Sequence, residues 1–109
     1  ALTSEDFFGV RMAAAISIGE IGGDTARTVL TQRYKAESDS RVRRACVWAL
    51  GNFKDEAATD LLREVARKDE SYFATVAAVR ALLANGSDKA LDAAKSALGK
   101  TSWQEVIAA

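Results

Sequence analysis

Apolar residues recur at intervals of three and four along most of the chain, and proline is absent. This spacing is typical of amphipathic α-helices, in which such positions fall on one face. Glycine marks the places where the pattern stops, and Ser or Asp the places where it resumes. We therefore predict an all-α chain of seven helices, at about 7–20, 24–37, 40–52, 56–68, 72–85, from 88, and from 102 onward.

Helix starts are predicted from acidic and hydroxyl side chains. Asp55 and Ser71 are placed to cap the fourth and fifth helices, and Ser102 with Glu105 has the spacing of a capping box. Three acidic pairs share this location, namely Glu5-Asp6, Asp55-Glu56 and Asp69-Glu70. Because negative charge is favourable at a helix N-terminus, we favour capping over acid-base catalysis for these pairs.

The chain repeats itself with a shift of 32 residues, which superimposes Val10 to Gly19 on Val42 to Gly51 position by position. A third copy, Ala74 to Leu83, has Thr75 in place of the arginine and Leu83 in place of the glycine. The even-numbered helices follow the same shift, through Ala26, Val29 and Leu30, then Ala58, Leu61 and Leu62, then Ala90, Ala93 and Ala94. The repeats are predicted at about 6–38, 39–69, 70–100 and, in part, 101–109, within one domain that spans 1–109. Each is a helical hairpin that buries its apolar face by stacking on its neighbours.

The segment from Asp39 to Gly51, with its sequence DSRVRRACVWALG, resembles the HEAT-like repeat of the type found in phycobilisome lyases. The resemblance implies an α-α superhelix, about three antiparallel hairpins plus a truncated seventh helix. It says little about activity, because this repeat serves unrelated roles. A bilin-lyase-like fragment is the weakest of the functions it allows.

Three further motifs, at 6–11, 69–73 and 102–107, resemble the C-terminal helical-repeat region of aminopeptidase-N-type zinc metallopeptidases. The resemblance implies an accessory domain that packs on or gates a catalytic domain elsewhere in the parent chain, where the zinc would be bound. This chain contains no histidine, so it lacks the H-E-x-x-H zinc signature of that family.

Composition narrows the function classes. Apolar residues make up 49% of the chain, and fifteen basic side chains balance fifteen acidic ones, so no net charge favours nucleic acid or a membrane surface. The single cysteine, Cys46, cannot form an internal disulfide, which favours a reducing, cytoplasmic compartment. The chain lacks an initiator methionine and stops within a newly begun apolar pattern, so we expect a fragment of a larger protein.

No catalytic, cofactor-binding or metal-binding residue is predicted in this chain. A structural zinc site needs about four Cys, His or carboxylate ligands in close array. Cys46 aligns with Ala14 and Ala78, so we expect a buried packing residue rather than a nucleophile. Gly19, Gly22 and Gly23 surround a helix end and are interpreted as turn glycines rather than a phosphate loop.

Arginines are the densest basic residues, with Arg41, Arg43 and Arg44 close to Lys35 in sequence. One interpretation is that these residues bind the phosphates of a nucleic acid. We favour the other: Arg11 and Arg43 are repeat-equivalent, and they would form an inter-repeat ladder by binding acidic caps or carbonyl ends of the neighbouring repeat.

An apolar stripe is predicted across the outer helices. Ile16 and Trp48 fill a position that usually faces solvent in this repeat and that Arg80 fills in the third copy, while Met12 and Val76 lie one turn earlier. We interpret Met12, Ile16, Trp48 and Val76 as a candidate interface for another domain of the chain or a protein partner. The alternatives are burial of Trp48 against its own hairpin, and a free-standing scaffold that binds protein or nucleic acid through its inner helices.

Overall fold

The computed structural model describes residues 4–98, and every regular element in that range is an α-helix. The six helices are α1 (Ser4–Ile21), α2 (Gly23–Ala36), α3 (Ser40–Leu50), α4 (Glu56–Lys68), α5 (Tyr72–Asn85) and α6 (Asp88–Leu98). The all-α prediction is confirmed, although α1 begins three residues earlier than the pattern indicated. The predicted seventh helix, with Ser102 and Glu105, lies outside the described residues, as do the side chains of Glu5 and Asp6.

Side-chain caps stabilise the starts of α3 and α5. The Asp39 carboxylate accepts a hydrogen bond from the Arg41 amide at 2.8 Å, and the Ser71 hydroxyl accepts one from the Ala74 amide at 3.3 Å. Asp55 is the N-cap residue of α4, as predicted, but its side chain makes no cap hydrogen bond to the helix. The carboxylate pairs with Arg27 of α2 instead, so an interhelical ion pair replaces a local cap.

The turn between α1 and α2 depends on glycine. Gly22 and Gly23 have φ angles of 76° and 86°, a region that side chains with a Cβ disfavour. With two such residues in succession the chain reverses its direction, and Gly22 is the only residue between the end of α1 and the start of α2. The short turn brings α2 back along α1 as a hairpin.

The odd-numbered helices form one layer of the stack. α3 packs between α1 and α5, while α4 packs against α5 and α6. Glycine permits the close approach: a Cβ added at Gly19 would lie 2.8 Å from the Ala49 Cβ, and one at Gly51 would lie 3.2 Å from the Ala81 Cβ. These two contacts are 32 residues apart on both sides, so the same glycine-alanine contact joins successive hairpins.

The core combines alanine with larger aliphatic side chains. Leu30, Leu50 and Leu82 are almost fully buried, and each stands in the second half of its own helix. Alanines at many of the other core positions allow the helix axes to lie close together. The outward-facing residues of each hairpin are thereby held on rigid elements.

Candidate interaction surface and the junction rungs

Two arginine-carboxylate pairs stand at the ends of the hairpins, and we call them the junction rungs. In the first, the Arg11 Nε donates to the Glu37 Oε1 at 3.0 Å and its Nη2 to Oε2 at 3.4 Å. In the second, the Arg43 Nε donates to the Asp69 Oδ2 at 3.1 Å and its Nη2 to Oδ1 at 3.3 Å. Both are bidentate contacts, which is the strongest geometry for an arginine-carboxylate pair.

Each acid of a rung follows the last residue of an even helix, α2 or α4. The same carboxylates also accept a backbone amide two residues later, from Asp39 at 3.0 Å and from Ser71 at 2.7 Å. Such a bond fixes the chain where it turns from one hairpin into the next. The rungs therefore hold the junctions between repeats as well as pairing charges.

Arg43 also reaches back to the preceding hairpin, because its Nη1 donates to the Ser38 carbonyl at 2.8 Å. It thus binds the end of the first hairpin and the end of its own hairpin at once. Arg11 binds the acid at the end of its own hairpin. The predicted ladder is therefore corrected in one respect: each arginine binds an acid of its own repeat, and of these arginine contacts the one to the Ser38 carbonyl crosses between repeats.

Tyr34 is the member of the second rung that sequence reasoning missed. Its hydroxyl donates to the Asp69 Oδ2 at 2.6 Å, which ties α2 to the end of α4. The 32-residue shift aligns Tyr34 with Ala66, so periodicity gave no reason to single it out. Burial, and then the hydrogen bond to Asp69, raise the pKa of the Tyr34 hydroxyl well above its usual value.

Both rung acids are ionised at neutral pH. Burial by itself would raise the pKa of Asp69, but hydrogen bonds from Tyr34, Arg43 and the Ser71 amide outweigh it and lower that pKa. For Glu37 the opposing effects are again burial, then the Asp39 amide and Arg11, and the pKa is lowered. The rungs are therefore ion pairs at neutral pH.

The third hairpin has no arginine with which to continue the rungs. Thr75 stands at that position, is buried, and donates its hydroxyl to the Asp69 carbonyl at 3.3 Å. The Thr75 hydroxyl thus has a local hydrogen-bond partner, and no third junction rung forms from this position of α5.

The predicted apolar stripe is only partly on the surface. Trp48 is 62% exposed and Ile16 is 40% exposed, so neither is buried in its own hairpin. Met12 is half-buried and packs against the core. Val76 is only 8% exposed, which corrects its assignment to the stripe, because a buried side chain has almost no surface to offer a partner. Ile16, Trp48 and Arg80 are repeat-equivalent and exposed on α1, α3 and α5, and we call them the outer stripe.

Arginine-aromatic contacts flank the outer stripe. The Arg41 Cζ lies 3.5 Å from the centroid of the Phe8 ring, and the Arg44 Cζ lies 5.6 Å from that of Phe73. Phe73 also stacks on Tyr72 with 5.6 Å between ring centroids. Arginines therefore bridge successive outer helices through aromatic faces, an arrangement that sequence spacing did not predict.

The charge of α3 and α5 differs from that of the even-numbered helices. α3 and α5 contain four arginines and no acidic residue. The even helices carry both signs and pair them between helices: Lys89 of α6 contacts the Glu56 Oε1 at 2.8 Å and the Asp60 Oδ1 at 2.7 Å. The groove between α2 and α4 is lined by both signs, including Arg27, Lys35 and Glu64. It offers no single-sign path for a phosphate backbone.

The basic residues singled out in the sequence are largely engaged. Arg41 pairs with Asp39 at 2.8 Å and Arg43 belongs to a rung, while Arg44 is exposed beside Phe73. Lys35 lines an open depression together with Glu37, Asp69 and Glu70. Because three acidic side chains line the same depression as Lys35 and Arg43, a nucleic-acid phosphate would be repelled as well as attracted there, which disfavours phosphate binding.

Cys46 is fully buried in α3, and burial raises the pKa of its thiol to about 11. A thiol with this pKa is almost entirely protonated at neutral pH and is a poor nucleophile. Across the part of the chain that the structure describes, no cluster of three or more Cys, His, Asp or Glu side chains could hold a metal ion. The same range contains no helix long and apolar enough to cross a bilayer.

Comparison with known proteins gives one family. The family model of HEAT repeats matches residues 1–51 and again residues 32–109. No curated protein and no solved structure matches the chain significantly. The two overlapping matches agree with the stacked hairpins seen in the structure.

Proposed function

We propose, since the chain belongs to the HEAT-repeat family, that it is a non-catalytic interaction module that binds a protein partner through the outer stripe. The observation that carries the proposal is Trp48. This residue is 62% exposed, although Ala45, Val47 and Ala49 beside it on α3 are all buried. A large aromatic residue held outward on a packed helix is typical of an interface anchor.

The surroundings of Trp48 fit a binding surface. Ile16 and Arg80 occupy the equivalent positions on the neighbouring outer helices, and Arg44 lies one turn before Trp48. Aromatic residues and arginine are the side chains most enriched in protein interfaces. Because α3 and α5 contribute only positive charge, the partner surface is expected to combine an apolar pocket with acidic residues.

The expected contribution of Trp48 is large enough to measure. Burying the exposed part of its side chain removes roughly 150 Å² from water, which corresponds to at most about 4 kcal/mol. Replacing the residue with alanine is expected to weaken binding by about 30-fold, or about 2 kcal/mol, because interface anchors usually lose at least this much.

The experiment is affinity capture with the chain, followed by calorimetry with each purified partner. Trp48→Ala is compared with Leu91→Ala, which truncates an exposed apolar residue on α6 of the inner layer. A partner retained by Leu91→Ala and lost by Trp48→Ala supports the outer stripe. Partners that bind both variants equally, or that are lost only with Leu91→Ala, contradict it.

A finer version of the proposal places the partner in the same polypeptide, as the catalytic domain of an aminopeptidase-N-type zinc peptidase. It rests on the motif resemblance at 6–11, 69–73 and 102–107, the last of which lies outside the described residues. Phe8 and Phe73 of these motifs contact Arg41 and Arg44, so they also have a packing role. Mixing the chain with such a catalytic domain tests this version: an absence of association, with unchanged peptidase activity, rejects it and leaves the general proposal standing.

The alternative is a nucleic-acid-binding scaffold, which the sequence placed on the inner helices. The groove between α2 and α4 carries both signs of charge, so the exposed arginine that supports this alternative is Arg44 of the predicted basic patch. This alternative predicts binding to a labelled duplex that weakens steeply with salt and is lost with Arg44→Glu. Binding of the duplex at physiological salt would replace the protein-partner proposal.

A further inference from the structure

Two arginines and two aromatic residues alternate on the exposed faces of α3 and α5. Arg44 and Trp48 lie one turn apart on α3, and Phe73 and Arg80 lie two turns apart on α5. The Arg44 Cζ lies 5.6 Å from the centroid of the Phe73 ring, and Arg80 holds the position equivalent to Trp48. Trp48 and Phe73 are each 62% exposed. We call these four residues the arginine-aromatic quartet.

The positive charge of the quartet has no counter-charge within the described part of the chain. Arg41 and Arg43, the other two arginines of α3, each pair with a carboxylate. Arg44 and Arg80 form no ion pair with a described residue, and neither α3 nor α5 contains an acidic side chain. A partner that covered the aromatic residues without supplying acids would leave two guanidinium groups desolvated and unpaired, which is costly.

The spacing of the quartet can be compared with that of a partner segment. Arg44 and Trp48 are about 6 Å apart along α3, and neighbouring helix axes are roughly 9 Å apart, so the backbones at Arg44 and Arg80 are roughly 11 Å apart. Positions seven residues apart on an α-helix share a face and are separated by about 10.5 Å. In an extended segment, positions about 10 Å apart differ by three residues and point to opposite sides. A helix therefore fits the two arginines better than a strand does.

The two aromatic residues lie on opposite sides of the line that joins the two arginines. On a helix, positions i+3 and i+4 likewise fall on opposite sides of the line from i to i+7, and all four share one face. Acidic residues at i and i+7 would thus reach Arg44 and Arg80 while apolar residues at i+3 and i+4 cover Trp48 and Phe73.

We propose that the arginine-aromatic quartet binds an acidic amphipathic helix of a partner protein, with carboxylates at i and i+7 on Arg44 and Arg80 and apolar side chains at i+3 and i+4 on Trp48 and Phe73. This inference rests on the proposed function and names the class of partner. It adds Arg44 and Phe73 to the outer stripe as residues that select the partner by charge and shape.

The test uses a synthetic helix of about 18 residues built on alanine and glutamine, with glutamate at i and i+7 and leucine at i+3 and i+4. Calorimetry with the 109-residue chain is expected to show binding. Trp48→Ala should weaken it about 30-fold and Arg44→Glu about tenfold. The matched control is Arg67→Glu, which reverses an exposed arginine on α4 and should leave the affinity unchanged. Circular dichroism checks that each variant remains folded.

A charge exchange tests the arginine contact directly. Two further peptides each carry lysine in place of one glutamate, and one of them is expected to recover the tenfold loss in the Arg44→Glu chain, because the two charges have changed places. A peptide with proline between the two glutamates cannot form the helix and is expected not to bind.

Several results would overturn the inference. These are no binding of the glutamate-leucine peptide, no recovery with either lysine peptide, equal binding of the proline peptide, and tighter Arg44-dependent binding of a single-stranded oligonucleotide. A captured partner that requires Trp48 but binds Arg44→Glu normally would also overturn it and leave the proposed function intact. Peptide binding that Trp48→Ala does not weaken would contradict both.

Discussion

The two junction rungs have the same plan but different surroundings, and the difference indicates which one stabilises the stack more. The first joins Glu37, whose side chain is 4% exposed, to Arg11, whose side chain is 38% exposed. The second joins Asp69, at 3%, to Arg43, at 20%, and adds the Tyr34 hydroxyl. Solvent can compensate for the loss of the first arginine contact far better than for the loss of the second.

The largest expected effect comes from neutralising the second acid. Asp69→Asn leaves Arg43 partly buried without its counter-charge, and we expect the free energy of unfolding to fall by about 3 kcal/mol. Glu37→Gln is the matched control at the first rung, with an expected loss of about 1 kcal/mol because Arg11 stays hydrated. Urea unfolding of the two variants measures both values. Equal losses would show that the rungs are equivalent despite their different burial.

Tyr34→Phe tests the group that distinguishes the second rung. Removing a hydroxyl that donates to a carboxylate is expected to lower the free energy of unfolding by about 1.5 kcal/mol. In the Asp69→Asn background the same change should cost much less, since its charged acceptor is already gone. A double-mutant cycle in urea gives the coupling energy, and strict additivity would mean that the hydrogen bond contributes nothing.

The smallest effect is on the pH dependence of stability. The pKa of Asp69 and that of Glu37 are both lower in the folded chain than their usual values of 3.8 and 4.5. The unfolded chain therefore binds more protons near pH 4, so the stabilisation is complete above the unfolded pKa and is lost as pH falls through the folded one. Melting temperatures at about pH 6 and pH 3 should differ less for Asp69→Asn than for the unaltered chain. A pH dependence that the substitution leaves unchanged would place the acid sensitivity in other carboxylates.

Periodicity predicted the architecture well, because the core positions of a stacked hairpin are buried in the same way in the next hairpin. Val42 and Ala74, for example, are both buried at equivalent positions. It predicted the surface less well at Val76, because exposure at the border of the outer layer depends on side-chain length and on the neighbouring helix. Arg44 at the equivalent position is exposed and approaches Phe73.

The polar contacts were the hardest to foresee. The sequence singled out Arg11 and Arg43 as equivalent, and their proposed role left open whether each would bind an acid or a carbonyl. Only the folded chain shows that Arg43 does both, with Asp69 and Ser38. Asp55 was expected to cap its own helix, yet Arg27 competes for the carboxylate across the hairpin junction.

The sequence by itself determined the helices, the 32-residue period and the absence of histidine, since these depend on local spacing and composition. The tertiary structure decided which equivalent residues differ in role: Trp48 is exposed, Val76 is buried, and Tyr34 joins the second rung although the repeat pattern aligns it with an alanine. The physical reason is that local spacing fixes which face a residue occupies. What covers that face depends on helices brought together from distant parts of the chain.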